Sequence, residues 1–216
     1  TLAIVGSTGS GKSTIVKLLL QFILPSEGTI NINDENINNL SFKSIKSKIS
    51  FVPQKSFLFN GTIESNLRMG GGKDATITDF EKACANAQSL DFINNLDDKF
   101  NAHVEQGGTN FSGGQKQRLS ISRALSKRPD IYIFDDSFSA LDYKTTKLLK
   151  NAIKQEYADK IKIIITQRIS TIKDADTIIV MNEGKIVGKG THKELLRNNT
   201  IYKEFAISQQ INVKES

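Results

Sequence analysis

Residues 6–13 constrain this chain more than any other segment. Their sequence, Gly-Ser-Thr-Gly-Ser-Gly-Lys-Ser, matches the pattern G-x-x-x-x-G-K-[ST] at every position. The segment directly follows an apolar run, Leu2–Val5, and precedes a helical pattern over Ile15–Gln21, which is the strand–loop–helix context that this pattern requires. Glycines let such a loop curl so that successive N–H groups point inward, and the helix N-terminus adds partial positive charge. The segment therefore predicts a cradle for phosphate groups.

The side chains of this cradle have distinct predicted roles. Lys12 supplies a compact cation for the β- and γ-phosphates of ATP, and the Ser13 hydroxyl is placed to ligate Mg²⁺. The residues expected to contact the nucleotide are Ser7, Thr8, Gly9, Ser10, Gly11, Lys12, Ser13 and Thr14.

A carboxylate further along the chain completes this predicted site. Asp135 follows four apolar residues, Ile131–Phe134, and so stands at the C-terminal end of a predicted strand. Ligands of open α/β sheets bind at that edge. We expect Asp135 to hold Mg²⁺ through water.

The order of apolar segments predicts the fold class. Short apolar runs alternate with helical patterns over the 216 residues, which is typical of a mostly parallel sheet flanked by helices. The predicted buried strands are Leu2–Val5, Ile49–Val52, Ile131–Phe134, Ile161–Thr166 and Thr177–Met181. Asn182-Glu183-Gly184 is predicted to form a hairpin turn that returns through Lys185–Val187. The predicted fold is therefore α/β, with a P-loop NTPase core.

The middle of the chain has a different pattern. It is mostly helical, with predicted helices at Thr78–Ala87, Leu90–Leu96 and Gly113–Ser126. We therefore predict an α/β core of residues 1–61 and 130–216, into which a helical subdomain of residues 62–129 is inserted. Residues 70–72, three consecutive glycines, are expected to form a flexible joint within it.

Composition excludes several classes of protein. With 38% hydrophobic and 24% charged residues, the chain can form a packed core, and global disorder is excluded. Its net charge of +6 fits either a polyanionic partner or a lysine-rich solvated surface, and the absence of a dense basic block favours the second. Cys84 is the only cysteine, which excludes an internal disulfide and a cysteine-based metal site. No stretch approaches 18 apolar residues, so we expect any membrane part to lie elsewhere.

A second glycine-containing motif narrows the family. Residues 110–115 read Asn-Phe-Ser-Gly-Gly-Gln and continue as Lys-Gln-Arg. Ser112 can cap a helix, while Gly113 and Gly114 expose N–H groups at its positive end, which makes a second anion site. This segment resembles the signature motif, LSGGQ, of ATP-binding cassette (ABC) proteins. The residues that the resemblance assigns to nucleotide contact here are Ser112, Gly113, Gly114 and Gln115.

Other short motifs follow in the order found in that family, over essentially the whole chain. Gln54 resembles the Q-loop glutamine, which touches Mg²⁺ and senses the membrane domain. Residues 139–142, Ser-Ala-Leu-Asp, resemble the D-loop. Residues 56–63 resemble the exporter form of the segment after the Q-loop, and residues 104–108 stand where exporters carry a loop that contacts the transmembrane domains.

The resemblance implies a mechanism and a set of partners. Two such domains pair head to tail, with each Mg-ATP held between the phosphate cradle of one and the signature motif of the other. Closing the pair moves the transporter, and hydrolysis reopens it. The implied partners are a second nucleotide-binding domain and a transmembrane domain, at the cytoplasmic face of the cell membrane, with no nucleic acid. The family's adenine-stacking aromatic residue and first strands would precede Thr1, and the membrane domain would choose the cargo.

Two positions depart from the family pattern, and both concern catalysis. Asp136 stands where glutamate usually polarises the attacking water, and Gln167 stands where a histidine is usual. A displacement of roughly 1 Å can cost on the order of 10²-fold in rate, or about 2.7 kcal/mol of barrier. Gln167 can hydrogen-bond a γ-phosphate but cannot carry a proton. With Gln54, these form the predicted catalytic set of a site that binds ATP well and hydrolyses it slowly.

The two substitutions together resemble the degenerate site of a heterodimeric exporter, and an ordinary homodimer with tolerated variants is the alternative. An importer's ATPase is the nearest rival to an exporter's, and transmembrane helices upstream of Thr1 would distinguish the two. A DNA-repair or chromosome-organising ATPase would place a coiled coil between cradle and signature, where this chain has only about 100 residues and no heptad run. A translation-associated ABC protein normally has two cassettes in one chain, and the single cassette here argues against that class.

Overall fold

The computed structural model describes residues 1–211, in which strands and helices alternate. The strands are β1 Leu2–Val5, β2 Asn31–Ile32, β3 Glu35–Asn36, β4 Ile49–Val52, β5 Gly61–Thr62, β6 His103–Val104, β7 Ile131–Asp135, β8 Ile161–Thr166, β9 Thr177–Asn182 and β10 Lys185–Gly190. The helices are α1 Lys12–Leu19, α2 Phe42–Lys48, α3 Ile63–Gly71, α4 Ile77–Asn86, α5 Leu90–Asn94, α6 Gly113–Ser126, α7 Tyr143–Glu156, α8 Ile169–Ile172, α9 His192–Asn198 and α10 Thr200–Ser208. Three short 3-10 turns cover Ile37–Asn39, Lys99–Asn101 and Gln106–Gly108.

A six-stranded sheet organises the fold, in the order β10-β9-β1-β8-β7-β4. Strand β1 pairs in parallel with both β8 and β9, and β10 returns antiparallel to β9. The return is made by Glu183 and Gly184, which both have positive φ. The predicted mostly parallel sheet, the predicted hairpin and the α/β fold class are confirmed.

The centre of the sheet is apolar on both faces. Successive residues of a strand face opposite sides of the sheet, and Ala3 and Ile4 of β1 and Ile164 and Ile165 of β8 are all buried. Parallel strands covered on both faces need such near-continuous apolar runs, because helices pack on either side. Strand β1 therefore ends at a fixed position in the middle of the sheet.

Two compact units can be distinguished within the chain. The first comprises Thr1–Ile49, Ile133–Asp136 and the chain from Ile161 onward, and the second comprises Ser50–Tyr132 and Ser137–Lys160. The sequence predicts a different division, with a core of residues 1–61 and 130–216 and an inserted subdomain of residues 62–129. That division rests on sequence patterns, whereas the two units are defined by compactness, so it stays a prediction.

Helices α3, α4 and α6 build the second unit around a buried apolar cluster that includes Leu67, Phe80 and Leu119. The prediction that residues 70–72 form a flexible joint was wrong. Gly70 and Gly71 form the last turn of α3, and Gly72 ends it with φ 83°. A Cβ on Gly70 would lie 1.8 Å from the carbonyl oxygen of Arg123 in α6, so glycine here permits close packing of two helix backbones.

Within residues 1–211, no helix combines the length and the apolar character that crossing a membrane requires.

Candidate nucleotide site

The phosphate cradle predicted from the sequence lies at the carboxyl end of β1. A Cβ on Gly6 would lie 2.3 Å from the carbonyl oxygen of Met181 in β9, so only glycine fits next to that strand. Gly11 has φ 97° and stands as the N-cap of α1, which makes Lys12 the first residue of the helix. The N–H of Gly184 donates to the carbonyl oxygen of Ser10 over 3.2 Å. Strand β9 and the hairpin after it therefore brace the loop from one side.

Lys12 is enclosed by its own loop and is only 8% exposed. Its Nζ donates to the carbonyl oxygens of Gly6 and Ser7 over 2.8 Å and 2.7 Å, and to the Oγ of Ser10 over 3.3 Å. Burial lowers the pKa of Lys12, and the charges of Asp135 and Asp136 offset this in part. The loop therefore surrounds a buried ammonium group that is available for charge-assisted hydrogen bonds to phosphate.

The remaining cradle residues leave polar groups open to solvent. Ser7, Thr8 and Gly9 are exposed, and so are Ser13 and Thr14 in the first turn of α1. That first turn contains no acidic residue. The positive end of α1 and these hydroxyl groups therefore suit an anionic ligand.

Two carboxylates stand at the carboxyl end of β7, which is separated from β1 by β8 in the sheet. Asp135 is the last residue of β7, and burial, reinforced by the charge of Asp136, raises the pKa of its carboxyl, while Lys12 lowers it in part. Asp136 has φ 44°, a left-handed conformation that aspartate tolerates better than most residues. Its N–H donates to the carbonyl oxygen of Ile165 over 2.7 Å. This turn places both carboxylates within the electrostatic reach of Lys12.

Thr166 is a site residue that the sequence analysis missed. It ends β8, and its Oγ1 donates to Oδ1 of Asp136 over 3.1 Å and accepts from the N–H of Arg168 over 3.0 Å. A polar residue that ends a buried apolar strand at the ligand-binding edge is the signal that could have identified it. Thr166 thereby orients one of the two carboxylates.

Gln167 is exposed, and its Nε2 donates to Oγ1 of Thr8 over 3.2 Å. The structure therefore brings Gln167 to the phosphate cradle, as it brings Asp135 and Asp136 to Lys12. The first unit assembles all of these predicted positions from three separate stretches of sequence.

The oxygen donors in this unit suit magnesium bound together with a nucleotide. Ser13 and Asp135 offer a hydroxyl and a carboxylate, which are hard ligands of the kind that Mg²⁺ prefers. Residues 1–211 contain no group of three or more His, Cys, Asp or Glu side chains that could hold a metal ion. Mg²⁺ usually keeps several waters and takes phosphate oxygens beside one or two carboxylates, so a partial protein shell fits this ion.

The signature segment belongs to the second unit and opens helix α6. Ser112 is its N-cap, with Oγ accepting from the N–H of Gln115 over 3.2 Å, while Oε1 of Gln115 accepts from the N–H of Ser112 over 2.9 Å. This capping box leaves the N–H groups of Gly113 and Gly114 in the first turn without a helical acceptor. Gly113 is exposed, and a Cβ there would meet none of the described atoms within 4 Å. The positive end of α6 is therefore open.

The other predicted motif residues also lie in the second unit. Gln54 is exposed and follows β4. Asp142 caps α7, since its carboxylate accepts from the N–H and the Oγ1 of Thr145 over 2.9 Å and 2.6 Å, which lowers the pKa of Asp142. In residues 56–63 and 104–108, the N–H of Gly107 donates to the carbonyl oxygen of Leu58 over 2.8 Å. The two exporter-like segments are thus bonded to each other.

Comparisons with known proteins agree with this geometry. Residues 1–139 match the family model described as ABC transporter. An ABC transporter ATP-binding protein of Mycobacterium tuberculosis is 45% identical over 213 residues, which are 98% of this chain and 36% of that protein. The lactococcin-G-processing and transport ATP-binding protein LagD of Lactococcus lactis is 42% identical over 203 residues, 94% of this chain and 29% of that protein. The structure of a bacterial Atm1-family ABC exporter with ATP bound superposes with a TM-score of 0.93 at 37% identity, covering 98% of this chain and 37% of that one.

The fold and the cradle define a nucleotide-binding domain of the P-loop class. The chain belongs to the ABC transporter family and corresponds to its ATP-binding domain. It spans about a third of the length of the curated relatives that it matches.

Proposed function

We propose that this chain is the ATP-binding domain of an ABC exporter, acting on Mg-ATP at the cytoplasmic face of a membrane. The observation that carries the proposal is the buried ammonium of Lys12, enclosed by its glycine loop and close enough to Asp135 and Asp136 to sense their charges. The similarity to a solved exporter over 98% of this chain supports the exporter class. The transmembrane domain and the cargo would belong to the rest of the transporter.

Each cradle residue has a proposed part in binding. Lys12 would exchange its hydrogen bonds to Gly6 and Ser7 for phosphate oxygens, and the backbone N–H groups of the loop would bind the remaining ones. Ser13 and Asp135 would hold Mg²⁺ within the first unit, and the role that the family resemblance gives Gln54 stays a prediction. When bound, Mg²⁺ neutralises charge on the β- and γ-phosphates.

The proposal extends to the rate of ATP hydrolysis at the ATP site formed by this domain's own cradle, which would be slow. Asp136 would orient the attacking water, and its short side chain is tied to Thr166. Gln167 would donate a hydrogen bond to the γ-phosphate, but its neutral amide cannot take up a proton as a histidine can. These two residues support a domain that binds ATP and hydrolyses it slowly.

A second nucleotide-binding domain is the proposed partner. Ser112, Gly113, Gly114 and Gln115 would bind the ATP held by the cradle of that domain, in a head-to-tail pair. The exposure of Gly113 at the start of α6 supports this assignment, because a Cβ there would meet none of the described atoms within 4 Å. We propose that the partner is a different chain with a complete catalytic set.

Calorimetric titration with ATP and Mg²⁺ tests the binding proposal. We expect Lys12→Ala to weaken ATP binding by about 100-fold or more, since charged hydrogen bonds contribute about 1.5–3 kcal/mol each. Lys17→Ala is the matched control, because Lys17 is an exposed lysine on the same helix. Equal ATP affinity in wild type and Lys12→Ala would overturn the assignment.

A further inference from the structure

A side chain near the end of the described chain holds the segment of residues 167–169, here called the switch segment. The Nε2 of Gln209 donates to the carbonyl oxygen of Gln167 over 2.7 Å. The N–H of Ile169 donates to Oε1 of the same Gln209 over 2.9 Å. One amide group therefore binds the switch segment at both ends, across 40 residues of sequence.

The switch segment needs such a partner. Helix α8 begins at the fully buried Ile169, and its N-cap, Arg168, makes no side-chain capping hydrogen bond among the described residues. The first N–H groups of a helix have no acceptor within the helix, and most helices satisfy one of them with the N-cap side chain. Gln209 supplies that acceptor from another part of the chain. Its donor group then fixes the carbonyl of Gln167, two residues earlier.

Gln209 is itself held in place by helix α10. It is the C-cap residue, and its N–H donates to the carbonyl oxygens of Phe205 and Ala206 over 3.3 Å and 3.2 Å. At the other end of α10, Nδ2 of Asn199 donates to the carbonyl oxygen of Val187 in β10 over 2.7 Å. The helix also buries Tyr202 completely. An anchored helix therefore delivers the amide group of Gln209 to the switch segment.

The side chain of Gln167 extends from this held peptide toward the phosphate cradle, where its Nε2 donates to Oγ1 of Thr8. We infer that Gln209 is a positioning residue, which holds the Gln167 peptide so that its side chain can distinguish ATP from ADP. The inference rests on the proposed function, in which Gln167 meets the γ-phosphate. ADP lacks that group, so Gln209 should contribute to the affinity for ATP and not to the affinity for ADP.

Two substitutions separate positioning from simple helix capping. Gln209→Met keeps the approximate size of the side chain and removes both hydrogen bonds. Gln209→Glu keeps an acceptor for the N–H of Ile169 but removes the donor to the carbonyl of Gln167. Lys203→Met, an exposed position on α10, is the control for a change on the same helix.

Calorimetry with ATP and with ADP is the deciding measurement. We expect both Gln209 variants to weaken ATP binding about 3- to 10-fold, which is the range of one lost hydrogen bond, and to leave ADP binding unchanged. In a Gln167→Ala background, Gln209→Met should add nothing further to the ATP effect. Equal weakening of ATP and ADP, wild-type behaviour of Gln209→Glu, or an additive double variant would each overturn the inference.

Hydrogen exchange gives a readout without nucleotide. The amide of Ile169 should exchange faster in Gln209→Met and keep its protection in Gln209→Glu, and an unchanged rate in Gln209→Met would also overturn the inference. Failure of the proposed function has a different pattern, because the wild type would then fail to bind ATP, or Lys12→Ala would bind it normally. If wild type binds ATP and Lys12→Ala binds it weakly, an unchanged ratio of ATP to ADP affinity in Gln209→Met would contradict the positioning role of Gln209 but not the proposed function.

Discussion

The phosphate cradle and the signature segment both place glycines at the start of a helix, yet they relate to their surroundings in opposite ways. A Cβ on Gly6 would lie 2.3 Å from a backbone oxygen of β9, whereas one on Gly113 would meet none of the described atoms within 4 Å. Lys12 fills the inside of the cradle, while Gly113 at the start of α6 is exposed. The fold of this chain requires the first glycine and does not require the second. The signature glycine is therefore free to serve a ligand that this chain does not hold alone.

The largest expected effect concerns the proposed slow hydrolysis at this domain's own ATP site. Asp136→Glu combined with Gln167→His should raise the ATPase rate of the own site about 10- to 100-fold, because it restores the missing methylene and a group that carries a proton. A steady-state phosphate-release assay measures the rate. Asp135→Glu is the matched control, since the same extension one residue earlier moves a proposed metal ligand and should lower the rate. An unchanged rate in the double variant would contradict the interpretation of Asp136 and Gln167.

The next effect tests the steric half of the comparison. Gly6→Ala should lower the free energy of unfolding by about 1–3 kcal/mol, because its Cβ overlaps a strand backbone that cannot yield cheaply. Gly113→Ala, the same substitution in open space, should stay within about 1 kcal/mol of wild type. Urea denaturation of both variants provides the measurement. Similar losses at the two positions would remove the difference on which the comparison rests.

The smallest effect concerns the carboxyl of Asp135, the proposed Mg²⁺ ligand. Burial raises the pKa of Asp135 in the folded state. The protonated carboxyl therefore contributes to the free energy of unfolding, and this contribution is fully present below the pKa of the unfolded state. It is lost as pH rises through the pKa of the folded state. Asp135→Asn should therefore raise the free energy of unfolding at pH 7, because the ionised carboxyl is disfavoured by burial. The gain should shrink as pH falls toward the ordinary carboxyl range. Thermal unfolding across pH would show this, and a destabilised variant at pH 7 would contradict it.

Local patterns predicted much of this structure. The strand before the cradle, the hairpin after β9 and the helix that follows Ser112 are all encoded by short runs with strong periodicity or turn residues. The expected joint at residues 70–72 failed because glycine also serves close packing of helices, and only the position of Arg123 reveals which use applies. Thr166 and Gln209 escaped notice because their partners lie 30 and 40 residues away in sequence. No local pattern marks the contact of Gln209, whereas the position of Thr166 at the end of a buried apolar strand is a signal that could have identified it.

The central claim is that the signature segment serves the ATP of a different partner, while the own site contributes little hydrolysis. Steady-state ATPase activity of the intact transporter tests it with two variants. Gly113→Asp adds a like charge beside phosphate without a clash inside this chain, and it should abolish nearly all activity. Asp136→Asn, which alters the site that we propose to be slow, should leave most of the activity in place. Complete loss in both variants would contradict the claim, because a homodimer with two working sites predicts that result.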